Sequence, residues 1–164
     1  MKAYVMFESK TGNTKMLADL IRKYYRDRDE TALSLQEADV VFVGSWTNEG
    51  HMSDAMATKL RRCQGKKVFL FGTCGFGNED YYASIVERNK AALAPNTELV
   101  GTFYCQGKMP ATVRTKYEDM LKENPNDPKL EFALINYDKA LTHPDQTDLD
   151  NLVAVLEELD KKFA

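Results

Sequence analysis

The sequence is poor in the residues that build disulfide-stabilised and metal-binding proteins. It has only three cysteines, Cys63, Cys74 and Cys105, and two histidines, His51 and His143. An odd number of widely spaced cysteines predicts neither a disulfide framework nor a Cys-x-x-Cys zinc or redox site. Because so few metal-binding side chains remain, we predict that the protein has no metal centre.

The chain also lacks an excess of basic residues and any long hydrophobic run. Its 22 Lys and Arg residues are outnumbered by 25 Asp and Glu residues, and the formal net charge is -3. Nucleic-acid binding requires a concentrated basic surface, so this balance argues against a nucleic-acid partner. No apolar run reaches the roughly 20 residues that span a bilayer, and no charged-then-apolar leader opens the sequence. We therefore expect a cytoplasmic protein that does not bind a membrane.

What the chain does contain is a regular alternation of short apolar strands and amphipathic helices. At 164 residues, 43% of them hydrophobic, it is predicted to form a single domain over residues 1–164. Strands are predicted at Ala3–Phe7, Ala32–Leu35, Val40–Gly44, Val68–Phe71 and Leu99–Cys105, and helices at Asn13–Tyr25, Ser53–Cys63 and Asp80–Leu93. This alternation is typical of an α/β fold, a doubly wound parallel sheet covered on both faces.

Three further helical patterns follow the fifth strand, where a sheet of this kind needs only one. The apolar stripe of the first consists of Val113, Tyr117, Met120 and Leu121, and a cluster of Asn and Pro at 124–128 ends it. The last pattern, over residues 149–163, supplies the one helix that the sheet needs. Residues 110–141 therefore form a helical addition within the domain, and its apolar stripes indicate only that it packs on something.

The segment Ser9-Lys10-Thr11-Gly12-Asn13-Thr14 joins the first strand to the first helix. Backbone N–H groups and hydroxyls at the positive end of a helix dipole can hold a phosphate monoester without a cation. Gly12 lets the backbone approach the phosphate closely. The segment is neither a Walker A motif nor a Gly-x-Gly-x-x-Gly motif. The same hydroxyls also fit a simple helix N-cap cluster.

This hexapeptide matches the phosphate-loop pattern of flavodoxins, Ser/Thr-x-Thr-Gly-x-Thr, in residue type, spacing and position. Together with the order of the predicted elements, it makes the first 107 residues resemble a short-chain flavodoxin. The resemblance implies a five-stranded sheet of order 2-1-3-4-5 that binds FMN where strands one and three diverge. It implies that the phosphate is bound by Ser9, Lys10, Thr11, Gly12, Asn13 and Thr14.

Two further loops stand where flavodoxins contact the flavin ring. By the resemblance, the loop after the third strand contributes Trp46, Thr47, Asn48 and Gly50, and that after the fourth contributes Thr73, Cys74, Gly75, Phe76 and Gly77. Trp46 is expected to cover one face of the ring and Phe76 the other. Ordinary packing is the alternative for both aromatics, and a small buried filler is the alternative for Cys74. Which peptide of the 46–52 loop contacts the flavin N5 is left open.

Four acidic residues in or beside these loops, Glu49, Asp54, Glu79 and Asp80, are expected to crowd the rim of the flavin. Negative charge there disfavours the anionic reduced flavin and lowers its potential. No constellation of acid, base and nucleophile is evident, so no catalytic residue is predicted.

The resemblance therefore implies an FMN-binding electron-transfer protein that shuttles single electrons between redox partners. These partners are expected to dock transiently at the flavin rim of a monomer or weak dimer. One alternative is an FMN-dependent NAD(P)H reductase of quinones, azo or nitro compounds. Another is an accessory flavodoxin dedicated to one reductase.

Overall fold

A parallel sheet with helices on both faces forms the centre of the computed structural model, which describes residues 1–164. The strands are β1 (Ala3–Glu8), β2 (Val40–Asn48), β3 (His51–Met52), β4 (Lys67–Cys74) and β5 (Glu98–Gln106). The helices are α1 (Asn13–Arg26), α2 (Asp54–Leu60), α3 (Glu79–Lys90), α4 (Ala111–Glu123), α5 (Pro128–Ala140) and α6 (Gln146–Phe163). No helix is both long enough and apolar enough to cross a membrane.

The parallel strands lie in the order β1-β2-β4-β5, and the two-residue β3 pairs antiparallel with the end of β2. In the register of the sheet, Val5 pairs with Phe42, Phe42 with Phe69, and Phe71 with Phe103. The predicted flavodoxin-like α/β fold is confirmed, and so is the relative order of its first, third, fourth and fifth predicted strands.

The predicted second strand at Ala32–Leu35 is wrong. The chain makes one parallel bridge there, between Thr31 and Ala3, and then turns. Ala32 is buried, but Leu33 is 86% exposed and its N–H donates to the carboxylate of Glu37 at 3.1 Å. A strand needs alternate buried side chains, and this segment has only one such position. This bridge lies on the outer side of β1, where the order 2-1-3-4-5 places the second strand.

The core has two layers because successive residues of each central strand point to opposite faces and are apolar on both. On one face Phe42 and Phe69, with ring centroids 5.0 Å apart, pack under α1 and α6. On the other face Val41 and Leu70 pack with Met56 of α2. Burial on both faces holds β2 and β4 rigidly, so the loops at their carboxyl ends start from fixed positions.

Helices α4 and α5 are inserted between β5 and α6, at the carboxyl edge of the sheet. Helix α5 buries Leu130, Ala133, Tyr137 and Ala140, whereas α4 has no buried residue. The guanidinium of Arg114 on α4 lies over the ring of Tyr137 and pairs with Asp138. Helix α4 is therefore held mainly by α5, and its inner face does not pack into the core.

Candidate functional site

A cavity of about 550 Å³ opens at the carboxyl ends of the strands, and all three predicted loops contribute to it. This volume lies within the range of about 300–1,000 Å³ that is usual for cofactor sites. The predicted site residues in its wall are Lys10, Thr11, Asn13, Trp46, Thr47, Thr73, Cys74, Gly75 and Phe76. The predicted site residues outside its wall are Ser9, Gly12, Thr14, Asn48, Gly50 and Gly77.

The loop between β1 and α1 presents backbone N–H groups that have no acceptor in the protein. Ser9 Oγ accepts hydrogen bonds from the N–H groups of Gly12 at 3.1 Å and Lys15 at 3.2 Å. Gly12, with φ of 90°, precedes α1 and provides no side-chain cap. The N–H groups of Asn13 and Thr14 make no hydrogen bond, although both residues are buried. Buried donors without partners are costly, so this helix start is suited to an anion.

Hydrogen bonds tie this loop to the rest of the cavity. The hydroxyls of Thr14 and Thr73 lie 3.0 Å apart, which joins the start of α1 to the end of β4. Asn13 Nδ2 donates to the carbonyl of Lys108 at 2.9 Å. A Cβ on Gly107 would lie 2.6 Å from that same Nδ2, so the close approach requires glycine. Thr14 thus has a positioning contact and Asn13 both a positioning contact and a place in the wall.

The loop after β2 is a tight hairpin rather than an open loop. Asn48 pairs with His51, and the two residues between them have positive φ angles, 49° at Glu49 and 85° at Gly50. Positive φ at both central positions is the signature of a type I′ turn. The carbonyl of Gly50 accepts a hydrogen bond from Arg88 Nη1 at 3.3 Å, outside the cavity wall. Glu49, which the sequence did not assign as a binding residue, lines the cavity instead.

Trp46 lies at the end of β2, half-buried in the cavity wall. The ammonium of Lys10 lies 4.8 Å from the centroid of its ring. A cation over an indole face is attracted by the ring's quadrupole, so Lys10 and Trp46 hold each other in place. The cavity therefore has a broad aromatic surface and a positive charge beside it.

The loop after β4 is fixed by two side-chain amides. The carbonyl of Gly75 accepts hydrogen bonds from Gln106 Nε2 and Asn136 Nδ2, both at 2.9 Å, and the two amides bond each other at 3.0 Å. In a trans peptide the N–H points opposite to the carbonyl. The N–H of Phe76 is therefore turned away from α5, and no protein group accepts from it. Through Asn136 the helical addition fixes the orientation of a cavity peptide.

Phe76 has an aromatic neighbour, Tyr81, that the sequence did not assign to the site. Tyr81 lines the cavity, and its ring meets Phe76 edge to face with centroids 5.6 Å apart. Tyr82 lies elsewhere, beside Phe103 and Val155. Tyr81 is the third residue of α3, and side chains near a helix start point back toward the loop that precedes the helix, which was the available signal for it.

Cys74 lines the cavity, but its thiol is buried and uncharged. Its thiol donates to the carbonyl of Phe76 at 3.1 Å. Burial raises the pKa of the Cys74 thiol to about 12. The thiol is therefore protonated at neutral pH, and its nucleophilicity is low because the thiolate is the reactive form.

The outer wall of the cavity is built by α4. The segment before it contributes Met109 and Pro110, and one face of the helix contributes Thr112, Val113, Lys116 and Tyr117. Val113 and Tyr117 belong to the apolar stripe that the sequence revealed, with its i, i+4 spacing. These two residues of the stripe face the cavity rather than the core, and α4 has no buried residue.

The cavity wall is mainly basic, whereas the sequence predicted an acidic rim. Its ionised side chains include three lysines, Lys10, Lys108 and Lys116, and one carboxylate, Glu49. The other three acidic residues that were expected at the rim, Asp54, Glu79 and Asp80, do not line it. The last two are the first residues of α3, where carboxylates favour the positive end of the helix dipole.

Known proteins resemble this chain over nearly its whole length. The family model for the flavodoxin domain matches residues 4–157. The flavodoxin-like domain-containing protein BilS of Clostridium symbiosum is 33% identical over 173 residues, 91% of this chain and 90% of that protein. BilS of Clostridioides difficile is 32% identical over 159 residues, with the same coverage of 91% and 90%.

Solved structures agree on the fold. Oxidised Flavodoxin 2 from Bacillus cereus superposes with a TM-score of 0.58 at 18% identity and covers 99% of both chains. The flavodoxin of Streptococcus pneumoniae has a TM-score of 0.58 at 17% identity, also over 99% of both chains. With the match to the family over residues 4–157, the chain belongs to the flavodoxin family, a family of FMN proteins.

Proposed function

We propose that this protein binds FMN in the 550 Å³ cavity and carries electrons between redox proteins. One observation supports this above all: the N–H of Asn13, which has no acceptor in the protein, and the aromatic ring of Trp46 belong to the wall of the same cavity. A phosphate acceptor and an aromatic platform at one sheet edge fit a flavin mononucleotide.

In this proposal, the residues of the chain hold and shield the cofactor. The N–H groups at the start of α1 and the hydroxyl of Thr11 bind the phosphate. Trp46 covers the ring system, and Phe76, braced by Tyr81, closes another side. FMN, when bound, supplies reversible electron transfer. Exclusion of water by these aromatics weakens the solvation of charged flavin and so tunes its potential.

The composition of the cavity wall favours a carrier over an enzyme. No histidine lines the cavity, and the Cys74 thiol is held in its neutral form by its raised pKa. Glu49 is exposed on the hairpin and has no hydrogen-bond partner that would make it a positioned base. Proton transfer or covalent catalysis by side chains therefore has little support.

One feature favours a second candidate, an FMN-dependent NAD(P)H reductase. Helix α4 walls the cavity and gives it depth beyond the three loops, as a substrate site would require. The same wall also suits the third possibility, an accessory flavodoxin dedicated to one reductase, because an added helix beside the cofactor can be specific for one partner.

An anaerobic redox titration of the FMN-loaded protein tests the proposal. We expect one tightly bound FMN and two separate one-electron steps, with no bleaching by NADH or NADPH alone. A protein that binds no FMN contradicts the cofactor assignment. Rapid two-electron bleaching by NADPH, followed by turnover of a quinone, contradicts the carrier and favours the reductase.

A further inference from the structure

Three lysines in the wall of the cavity have no carboxylate partner. Lys10, Lys108 and Lys116 are exposed, and no salt bridge involves them. Many lysines on the helices elsewhere are paired with a nearby carboxylate, namely Lys15, Lys23, Lys90, Lys122 and Lys161. The cavity lysines are thus available to a group outside the chain.

Three separate segments bring these lysines to one opening. The ammonium of Lys10 is held over Trp46 at 4.8 Å. The backbone of Lys108 is fixed on both sides, since its carbonyl accepts from Asn13 and its N–H donates to His143 at 2.9 Å. Lys116 lies on the cavity face of α4, one turn after Thr112. The ammonium of Lys10 is thus positioned by Trp46, and the backbone from which Lys108 extends is fixed beside the same cavity.

The ionised side chains of the cavity wall are therefore mostly positive, although the chain has a net charge of -3. Glu49 is the one carboxylate in the wall. Surface charges act over a Debye length of about 10 Å at 0.1 M salt, so a partner at the opening responds to these lysines rather than to the total charge.

We propose that the surface formed by Lys10, Lys108 and Lys116 docks a redox protein with an acidic face at the mouth of the cavity. This inference rests on the proposed electron-carrier function. Complementary charge orients the partner over the point where electrons leave and raises the association rate. The FMN phosphate offsets part of the positive charge, so the effect is measured on the FMN-loaded protein.

The kinetic test uses two acceptors of opposite charge: a rubredoxin, which has an acidic surface, and cytochrome c, which is basic. The FMN-loaded protein is reduced, and its oxidation by each acceptor is followed by stopped flow between about 0.01 and 0.5 M salt, where the Debye length shortens from about 30 Å to below 10 Å. We expect the rate with rubredoxin to fall several-fold as salt rises and the rate with cytochrome c to stay level or rise. The opposite pattern overturns the proposal.

Charge-reversal variants locate the surface. Lys108→Glu and Lys116→Glu are each expected to slow oxidation by rubredoxin several-fold at low salt and to have little effect at high salt. Lys162→Glu is the matched control, because Lys162 is an exposed lysine near the C-terminal end of α6, beside Val100 and Leu159 and away from the cavity. An equal effect of all three variants contradicts docking at the opening.

A second measurement does not require the flavin. The ¹⁵N-labelled protein without added FMN is titrated with zinc-substituted rubredoxin and followed by NMR. We expect salt-sensitive shifts at residues 107–117 and at Lys10. If FMN does not bind, the proposed function fails, while this titration still decides the charge preference. Shifts confined to other surfaces overturn the docking proposal.

Discussion

The hydroxyl of Thr14 lies 3.0 Å from the hydroxyl of Thr73. Thr14 is fully buried at the start of α1, and Thr73 is buried near the end of β4. This contact links the proposed phosphate-binding loop to the loop that is proposed to face the ring. Neither hydroxyl is accessible to water, so each depends on the other for its hydrogen bond.

Removal of either hydroxyl is expected to destabilise the fold. Thr14→Val and Thr73→Val each leave one buried hydroxyl unpaired, which costs about 1–3 kcal/mol in the free energy of unfolding. The double variant leaves none unpaired and is expected to lose less than the sum of the two, with a coupling energy of about 1 kcal/mol. Urea denaturation of the four proteins measures the cycle, and additive losses would contradict the hydrogen bond.

A phosphate-specific loss of affinity is expected from Thr11→Ala. Thr11 is exposed in the cavity wall and its hydroxyl bonds no protein group. Its removal is expected to weaken FMN binding by about 10- to 150-fold, since a charge-assisted hydrogen bond contributes about 1.5–3 kcal/mol, and to leave riboflavin binding unchanged. Fluorescence titration with both flavins measures this, and Thr58→Ala on the surface of α2 is the control. Equal losses for the two flavins would contradict a phosphate contact.

Asn136→Leu tests how much the helical addition contributes to flavin binding. This change leaves the carbonyl of Gly75 with Gln106 as its remaining partner and loosens the peptide that precedes Phe76. We expect weaker binding of FMN and riboflavin by similar factors, because the ring contacts rather than the phosphate contacts are lost. Lys139→Gln, on the exposed face of α5, is expected to bind both flavins normally. A loss confined to FMN would show that loop orientation is not the cause.

The sequence predicted the sheet well because buried parallel strands are apolar on both faces and the helices between them are amphipathic. The segment Ala32–Leu35 was misassigned because a short apolar pattern does not reveal that Leu33 faces solvent. The hexapeptide Ser9 to Thr14 predicts a phosphate-binding loop because such a loop depends on local backbone geometry, and this assignment stays a prediction.

The rest of the candidate site depends on distant contacts that local patterns do not contain. The stripe of Val113 and Tyr117 was visible in the sequence, but its partner is a cavity rather than a core. Asn136 reaches Gly75 across 61 positions of the chain. The charge of the opening was predicted incorrectly because proximity in sequence placed acidic residues near the loops, whereas the fold brings Lys108 and Lys116 to the wall.

Lys10 is expected to raise the reduction potential of the bound flavin. Its ammonium lies beside the Trp46 ring in the cavity wall, where a positive charge stabilises an electron added nearby. Lys10→Met is therefore expected to shift the midpoint potential to more negative values. Lys15→Met is the control, because Lys15 pairs with Asp19 on the surface of α1 and does not line the cavity. An anaerobic redox titration at low salt compares the two, and equal shifts would contradict a local effect of Lys10.

The buried thiols are expected to make the protein less stable in alkali. Burial raises the pKa of Cys63 to about 11 and that of Cys74 to about 12, whereas an unfolded thiol titrates near pH 8.5. The folded state thus holds these protons more strongly, and stability is fully present below about pH 8.5 and declines as the pH rises toward 11–12. Each thiol contributes a slope of at most about 1.4 kcal/mol per pH unit in this window. Urea denaturation from pH 7.5 to 10 under reducing conditions measures the slope, and Cys74→Ala is expected to make it shallower. A free energy of unfolding that is constant to pH 10 would contradict burial of the thiols.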